Sequence, residues 1–212
     1  LATEIGRTIG HFFPPFGSWL ADLPDTRCQG KVVYEKAFCL WEGMDIFFLG
    51  LGSRRQFDCE ARRDAASSGQ CLRQNLNRLA HSEAQDLAHG DTVNDYLKVL
   101  SPDHLATIPR HMVQRLLRMR VLEYARVQDR YLIAIDATGL WSWHKRHCEA
   151  CLHQTRNGVT NYYHLVLEAK LITPDGLAFS VCSEFIENVD PNAVKQDCEL
   201  AALPRLLEKL KT

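Results

Sequence analysis

What the chain lacks narrows its class first. It has no unbroken apolar run of about 18 residues, so no transmembrane helix is expected and no membrane partner. It has no secretory leader pattern either. Leu1 to Leu23 mixes apolar residues with Glu4, Arg7, His11 and Pro14-Pro15, without a basic start and an apolar block. Neither sign of charge dominates: the formal net charge is -1, so the sum does not mark a polyanionic partner, and a basic face would depend on clustering. Internal repeats and low-complexity tracts are missing. Close cysteine pairs are scarce. Of eight cysteines only Cys148 and Cys151 sit near each other, which argues against the dense disulfide scaffold of a small secreted protein. This usage fits a reducing cytoplasm, with most thiols acting as small buried apolar groups. The chain opens on Leu rather than Met and closes inside a helical pattern, so both ends read as truncations.

What is present is enough for a core. The chain has 212 residues, 46% of them hydrophobic, which suits one large domain or two small ones. Residues 1–30 are punctuated by Pro and Gly and read as an irregular segment with room for one short helix. Residues 31–51 place Phe38, Leu40, Trp41, Met44, Phe47 and Phe48 at helical spacing, which predicts a buried helix. Ser53 is a candidate cap for a helix through Arg54-Arg55-Gln56-Phe57, and 61–69 reads as a loop. Leu72, Leu76 and Leu79 mark another helix. Gly90-Asp91-Thr92 begins the next, and Ser101-Pro102-Asp103 starts one that reaches about Gln128, with an interruption near Pro109. The stretch 31–128 is therefore expected to be helical throughout.

Near residue 130 the period changes. Tyr131–Ile135 is a continuous apolar run ending at Asp136, which predicts a central strand buried on both faces. Residues 161–172 and 177–187 alternate, and Thr173-Pro174-Asp175-Gly176 between them is a turn signal, so the pair reads as a β-hairpin. Asp190-Pro191 is expected to cap a last helix through Val194, Cys198, Ala202, Leu206 and Leu210, bent or split at Pro204. The fold class is thus α+β: an irregular segment 1–30, a helical region 31–128 and a sheet-bearing domain 129–212. The order strand, long connection, hairpin, helix matches the first half of an RNase H-like core.

Three motifs sharpen that match: YLIAIDATGL (131–140), HCEACL (147–152) followed by NYYHLVLEAKLITP (161–174), and SEFIEN…KQDCE (183–199). With LGSRRQFD (51–58), QNLNRL (74–79) and HGDTVNDYL (89–97), the chain resembles DDE transposases of the insertion-sequence kind over most of residues 25–211. The resemblance implies metal-dependent DNA cleavage and transfer at insertion-sequence ends, with Mg2+ or Mn2+ as cofactor and DNA as partner, the protein assembling as a homo-oligomer on it. Only the first carboxylate, Asp136, carries over. It is followed by Ala137-Thr138 where the family has Gly-Thr. The family's second catalytic Asp would follow the last helix, so the chain reads as truncated before it. The rival reading is a catalytically inert DNA- or zinc-binding remnant.

Hard divalent cations prefer carboxylate oxygens, so an Asp closing an apolar strand suits a site that activates water or a 3′-hydroxyl. The bland alternative is an Asp that caps a turn. By analogy with RNase H, Glu199 is a second candidate facing Asp136; otherwise Glu199 and Asp197 simply complement a helix dipole. Cys148-Glu149-Ala150-Cys151 supplies half of a tetrahedral zinc site, with His144, His147, His153 or His164 to complete it; His147 lies nearest in sequence. A reduced thiol pair is the alternative. Arg115, Arg118, Arg126, Lys145 and Arg146 are candidate phosphate contacts, and Arg54, Arg55, Arg62, Arg63, Arg73 and Arg78 form a second basic cluster. A solvated helix face is the alternative there. Trp141 and Trp143 either stack on bases or pack locally.

Overall fold

The structure, a computed structural model, describes residues 2–63, 68–188 and 195–211. Helices come first and an antiparallel sheet follows, as the change of period predicts. The chain divides into two units, Leu1–Ile108 and Pro109–Thr212. The division precedes the expected boundary at 128/129, because residues after Pro109 pack with the sheet. Val113 and Leu122 share a cluster with Leu171, with Leu116, Leu117, Tyr131 and Phe179 around them.

In the first unit, residues expected to be irregular form α1 (Ala2–Phe12) and α2 (Phe16–Asp22). The two prolines fall between these helices, where a missing N–H costs nothing. Phe13, Phe16, Leu20 and Leu23 are buried there. α3 (Lys36–Phe48) buries Phe38, Leu40 and Trp41 as its spacing predicts. Its buried face also carries Glu42 and Asp45, however, while Phe47 is exposed. Arg27 braces this unit: its guanidinium grips both Asp25 carboxylate oxygens (2.8 and 2.7 Å) and lies 4.6 Å above the Tyr96 ring centre. That grip holds Asp25 well below the usual carboxylate range, at about 2.

α4 (Arg54–Arg63), α5 (Ser68–Ala80) and α6 (Gly90–Val99) complete the unit. The segments 51–58 and 89–97, distant in sequence, meet here. The Gly90 amide donates to both Asp58 carboxylate oxygens, at 3.0 and 3.3 Å, and Arg54 donates to Asn94 Oδ1. A Cβ on Gly90 would lie 2.9 Å from Arg54 Cβ and 2.9 Å from Asp58 Oδ2, so no larger residue fits unless α4 and α6 part. Gly90→Ala is expected to cost about 1–3 kcal/mol, as overpacking does. Gly43→Ala in α3, where the nearest heavy atom would be Val93 Cγ1 at 3.5 Å, is expected to be neutral or to gain about 0.5–1 kcal/mol. Thermal unfolding of the two variants side by side checks this, and equal melting shifts would refute it.

α7 (Pro102–Arg118) runs through Pro109 without breaking and stops earlier than expected, at a turn where Arg120 has φ +60°. The sheet of the second unit contains β1 (Leu132–Trp143), β2 (Leu152–Arg156), β3 (Val159–Ile172) and β4 (Ala178–Ile186). β3 is the central strand. It pairs with β1 on one side, and with β2 and then β4 along the other. β1 is thus an edge strand among the described residues, which corrects the expectation of a central strand buried on both faces. Along β1 only Ala137 is partly covered, and Leu132, Ile133 and Ile135 are exposed. Burying a strand on both faces requires cover on both, and α8 (Glu199–Lys211) lies instead over β3 and β4, where Ala202 and Leu206 meet Leu167, Ala169, Cys182 and Ile186.

The expected hairpin β3–β4 forms at Thr173–Gly176, with Gly176 at φ +87° and Gly176 N–H bonded to Thr173 O. A second hairpin joins β2 and β3 through Asn157-Gly158, both with positive φ. Pro204 lies within the first turns of α8 and does not split it. The expected cap Asp190-Pro191 and Val194 lie outside the described residues.

Candidate metal centre

The sheet has two unlike faces. Side chains alternate along a strand, and Tyr163, Leu165, Leu167 and Ala169 turn toward α8 with Ala137 of β1. The residues between them, His164, Val166 and Glu168, turn the other way. Asp136 lies opposite Glu168 in the register and therefore shares that second face. A bulge between Gly139 and Trp141 shifts β1 by one residue. Trp141 and Trp143 consequently join Asp136 and His164 on this face, with the Trp141 ring 5.4 Å from His164 and 5.5 Å from Trp143. The tryptophans pack locally, against each other and against histidines.

Between β1 and β2 the chain makes a tight turn at Cys148–Cys151, whose Cys151 N–H points back to Cys148 O. The turn carries both thiols to the His164 imidazole. Cys148 Sγ and Cys151 Sγ lie 3.5 Å apart, and each is 3.2 Å from His164 Nε2. These three are placed to hold a metal ion such as zinc. Cys151 and His164 are buried, whereas Cys148 is exposed to solvent. Burial works against ionising Cys151, but the amides of His147 and Cys148, the Cys148 thiol and the Arg146 charge outweigh it, and its pKa falls below the ordinary thiol value. Burial and the neighbouring Cys151 thiol raise that of Cys148.

His147 is the histidine nearest in sequence, but its ring packs tilted against Trp143 at 4.1 Å between centres, and the third donor is His164. His164 arrives from the central strand, because the β2–β3 hairpin folds β3 back beside the Cys turn. His153 sits on β2 against Tyr162, 6.1 Å between ring centres.

Asp136 is exposed, its Oδ1 accepting from the Ala137 amide at 2.9 Å. Glu199 is exposed in the first turn of α8, on the opposite side of the sheet, so the pairing expected from RNase H is not made. The carboxylate across from Asp136 is Glu168, which also meets Lys170 Nζ at 3.0 Å. Glu184 has a structural role: it is buried under α8, with Arg205 at 2.5 Å and Lys209 at 2.7 Å.

The basic candidates divide in the same way. Arg146 wraps the Cys turn, donating to the carbonyls of Cys148 (3.0 Å) and Glu149 (2.7 Å). Arg126 is held by Glu123 and by the Asp129 carbonyl. Arg115 is half-buried, whereas Arg118 and Lys145 are exposed. In the first unit Arg54 and Arg55 line an open cleft of about 950 Å³ with Ser53, His89, Asp58 and Asp91, so charges of both signs meet there. Arg73 donates to Ala84 O and Arg78 is exposed. The Arg62 and Arg63 side chains lie outside what the structure describes.

Among the described residues, no helix is long and apolar enough to cross a membrane. Comparison with protein-family models, with curated proteins and with solved structures finds no match for this chain.

Proposed function

We propose that this chain belongs to a DNA strand-transfer protein of the DDE, insertion-sequence kind, built on an RNase H-like core and steadied by a zinc ion at Cys148, Cys151 and His164. One observation carries the zinc part: three soft or borderline donors meet within 3.5 Å of one another although two of them lie on a turn and the third on the central strand. In a tetrahedral site with bonds of about 2.3 Å to sulfur and 2.0–2.1 Å to nitrogen, neighbouring donors are about 3.6–3.8 Å apart. The triangle therefore needs to open by only a few tenths of an ångström. Zinc here is structural chemistry: it pins the Cys turn to the sheet.

The strand-transfer reading rests on the order of the motifs and on Asp136. Hard cations take carboxylate oxygens, and Asp136 offers one on an exposed face with Glu168 across the strand pair. Directly opposed like charges on a sheet are destabilising, and a bound cation would relieve them; Lys170 already does so for Glu168. When bound, Mg2+ or Mn2+ would polarise a phosphodiester and lower the pKa of an attacking water. Asp136 would hold it, and Arg118 and Lys145 would contact backbone phosphates.

Three measurements test this. Duplex DNA should bind weakly, with affinity falling steeply as salt rises. Mn2+ binding, followed by the paramagnetic signal of the free ion, should weaken at least about tenfold in Asp136→Asn, in line with the loss of a direct carboxylate ligand. Any nicking of supercoiled DNA in Mg2+ or Mn2+ should vanish in Asp136→Ala. Nicking that survives that substitution, or no DNA binding at low salt, would overturn the reading. The inert zinc-binding remnant is the outcome left if zinc binds and DNA does not.

A further inference from the structure

Glu187 and Asn188, which follow β4, sit directly behind the metal centre, and the functional reading makes no use of them. Glu187 Oε1 lies 3.9 Å from His164 Nδ1, the ring nitrogen that faces away from the thiols. Asn188 follows, and its backbone N–H donates to Ala150 O at 3.1 Å while its side-chain amide donates to Cys151 O at 3.0 Å. Asp197 holds both residues: its carboxylate accepts from the Glu187 amide, and its own amide donates to Asn188 Oδ1. Gln196 grips both backbone groups of His153 on β2, at 2.7 and 2.9 Å. Glu187 and Asn188 thus back the Cys turn and His164, and Gln196 and Asp197 hold them and the start of β2 in place.

We infer that Glu187 is the positioning residue of the metal centre: with the metal bound, its carboxylate closes from 3.9 Å to accept a hydrogen bond from His164 Nδ1–H, so that Nε2 is presented to the metal between the two thiolates. The inference rests on the metal reading above. A metal-bound imidazole uses one nitrogen as ligand and presents the other as a donor, and a carboxylate behind it fixes both tautomer and ring plane. The chemistry of this place favours that arrangement. His164 is buried and Glu187 partly exposed, and a shift of under an ångström brings the carboxylate from 3.9 Å into hydrogen-bond range of Nδ1. Metal binding draws electron density from the ring and strengthens the Nδ1 donor. Glu187 cannot itself be the fourth ligand from there, since it lies behind the ring. The outward side, beside exposed Cys148, is where a fourth ligand enters.

The test uses the whole chain. Zinc affinity is measured by competition with a chromophoric chelator for wild type, Glu187→Gln and Glu187→Ala. Cobalt(II) substitution reports the thiolate ligands through their charge-transfer absorption. Glu187→Ala should bind zinc about 10–100-fold more weakly. Glu187→Gln, which keeps an acceptor but not the charge, should fall between. Both should retain the full thiolate absorption, because the Cys turn is intact. A residue that merely stiffens the loop would lower the melting temperature of the metal-free protein without grading affinity in the order Glu, Gln, Ala. If Glu187→Ala fails to fold, Glu187→Gln alone carries the comparison. Affinity within twofold of wild type in the variant that folds would overturn the inference while leaving the metal reading standing. A wild-type chain that binds neither zinc nor cobalt would overturn both.

Discussion

Cys151→Ser and His164→Ala are each expected to lower zinc affinity by at least about a thousandfold, while His147→Ala changes it by less than about threefold. The expectation follows from position. Cys151 is buried against His164 with its thiol 3.2 Å from Nε2, so removing either leaves only two of the three protein donors. His147 lies one residue from Cys148, but its ring packs tilted against Trp143. Cys148→Ser should behave like Cys151→Ser. Trp141 is 5.4 Å from His164, so cobalt(II) should quench tryptophan emission in the wild type and in His147→Ala only. Zinc removal by a chelator should lower the melting temperature, because the free energy of binding a structural zinc is folding free energy. Equal loss of zinc in His147→Ala and His164→Ala would mean that the turn is arranged differently when the metal is bound. A preparation that binds no zinc and keeps Cys148 and Cys151 reduced would favour the thiol-pair alternative.

The unit Leu1–Ile108 should lose stability as pH rises from about 5 to about 9, and Glu42→Gln should remove most of that loss. Glu42 is buried, with one carboxylate oxygen accepting from the Ala88 amide at 3.1 Å and the other without a partner. Burial pushes its pKa from the ordinary 4.5 up to about 8; the Ala88 amide lowers it, and Asp58 and Asp45 raise it. Burial likewise raises Asp45 from 3.8 to about 6. A group whose folded pKa is raised contributes its stability fully below its ordinary pKa, and loses it as pH rises through the folded value. Stability should therefore be highest near pH 4–5, then fall as Asp45 ionises toward pH 6 and as Glu42 ionises toward pH 8. Gln keeps the acceptor for Ala88 and carries no charge. It should stabilise the protein at pH 9 by roughly 2–4 kcal/mol, allowing for residual solvation, and change little at pH 5. Urea unfolding at pH 5, 7 and 9 measures both. A flat profile for the wild type, or a destabilised Glu42→Gln at pH 9, would show that water or a cation reaches this carboxylate.

The buried acids of α3 also show where sequence reading stops. Phe38, Leu40 and Trp41 announced a buried helix and are buried. The same spacing put Phe47 in the core, but the helix is turned so that Glu42 and Asp45 face inward and Phe47 faces out. A helix apolar on several sides does not define its own inward face; the surrounding helices choose it. Asn157-Gly158 carried a hairpin signal that was legible and missed, since Asn-Gly between two strands suits a two-residue turn with positive φ at both positions.

The sequence by itself determined what depends on neighbours along the chain. The change from helical to alternating period near residue 130, the Thr173–Gly176 turn and the Cys148–Cys151 spacing are local features, and each appears in the structure as read. Tertiary structure decided what depends on residues far apart. It made β3 rather than β1 the central strand, because among the described residues only β3 has partners on both sides. It set Glu168 across from Asp136 and left Glu199 on the far side of the sheet. It also chose His164 over His147 as the third metal donor. Antiparallel pairing folds β3 back alongside the Cys turn, and the bulge after Gly139 aligns Trp141 with His164, so the imidazole that meets both thiols comes from a residue 13 positions beyond Cys151.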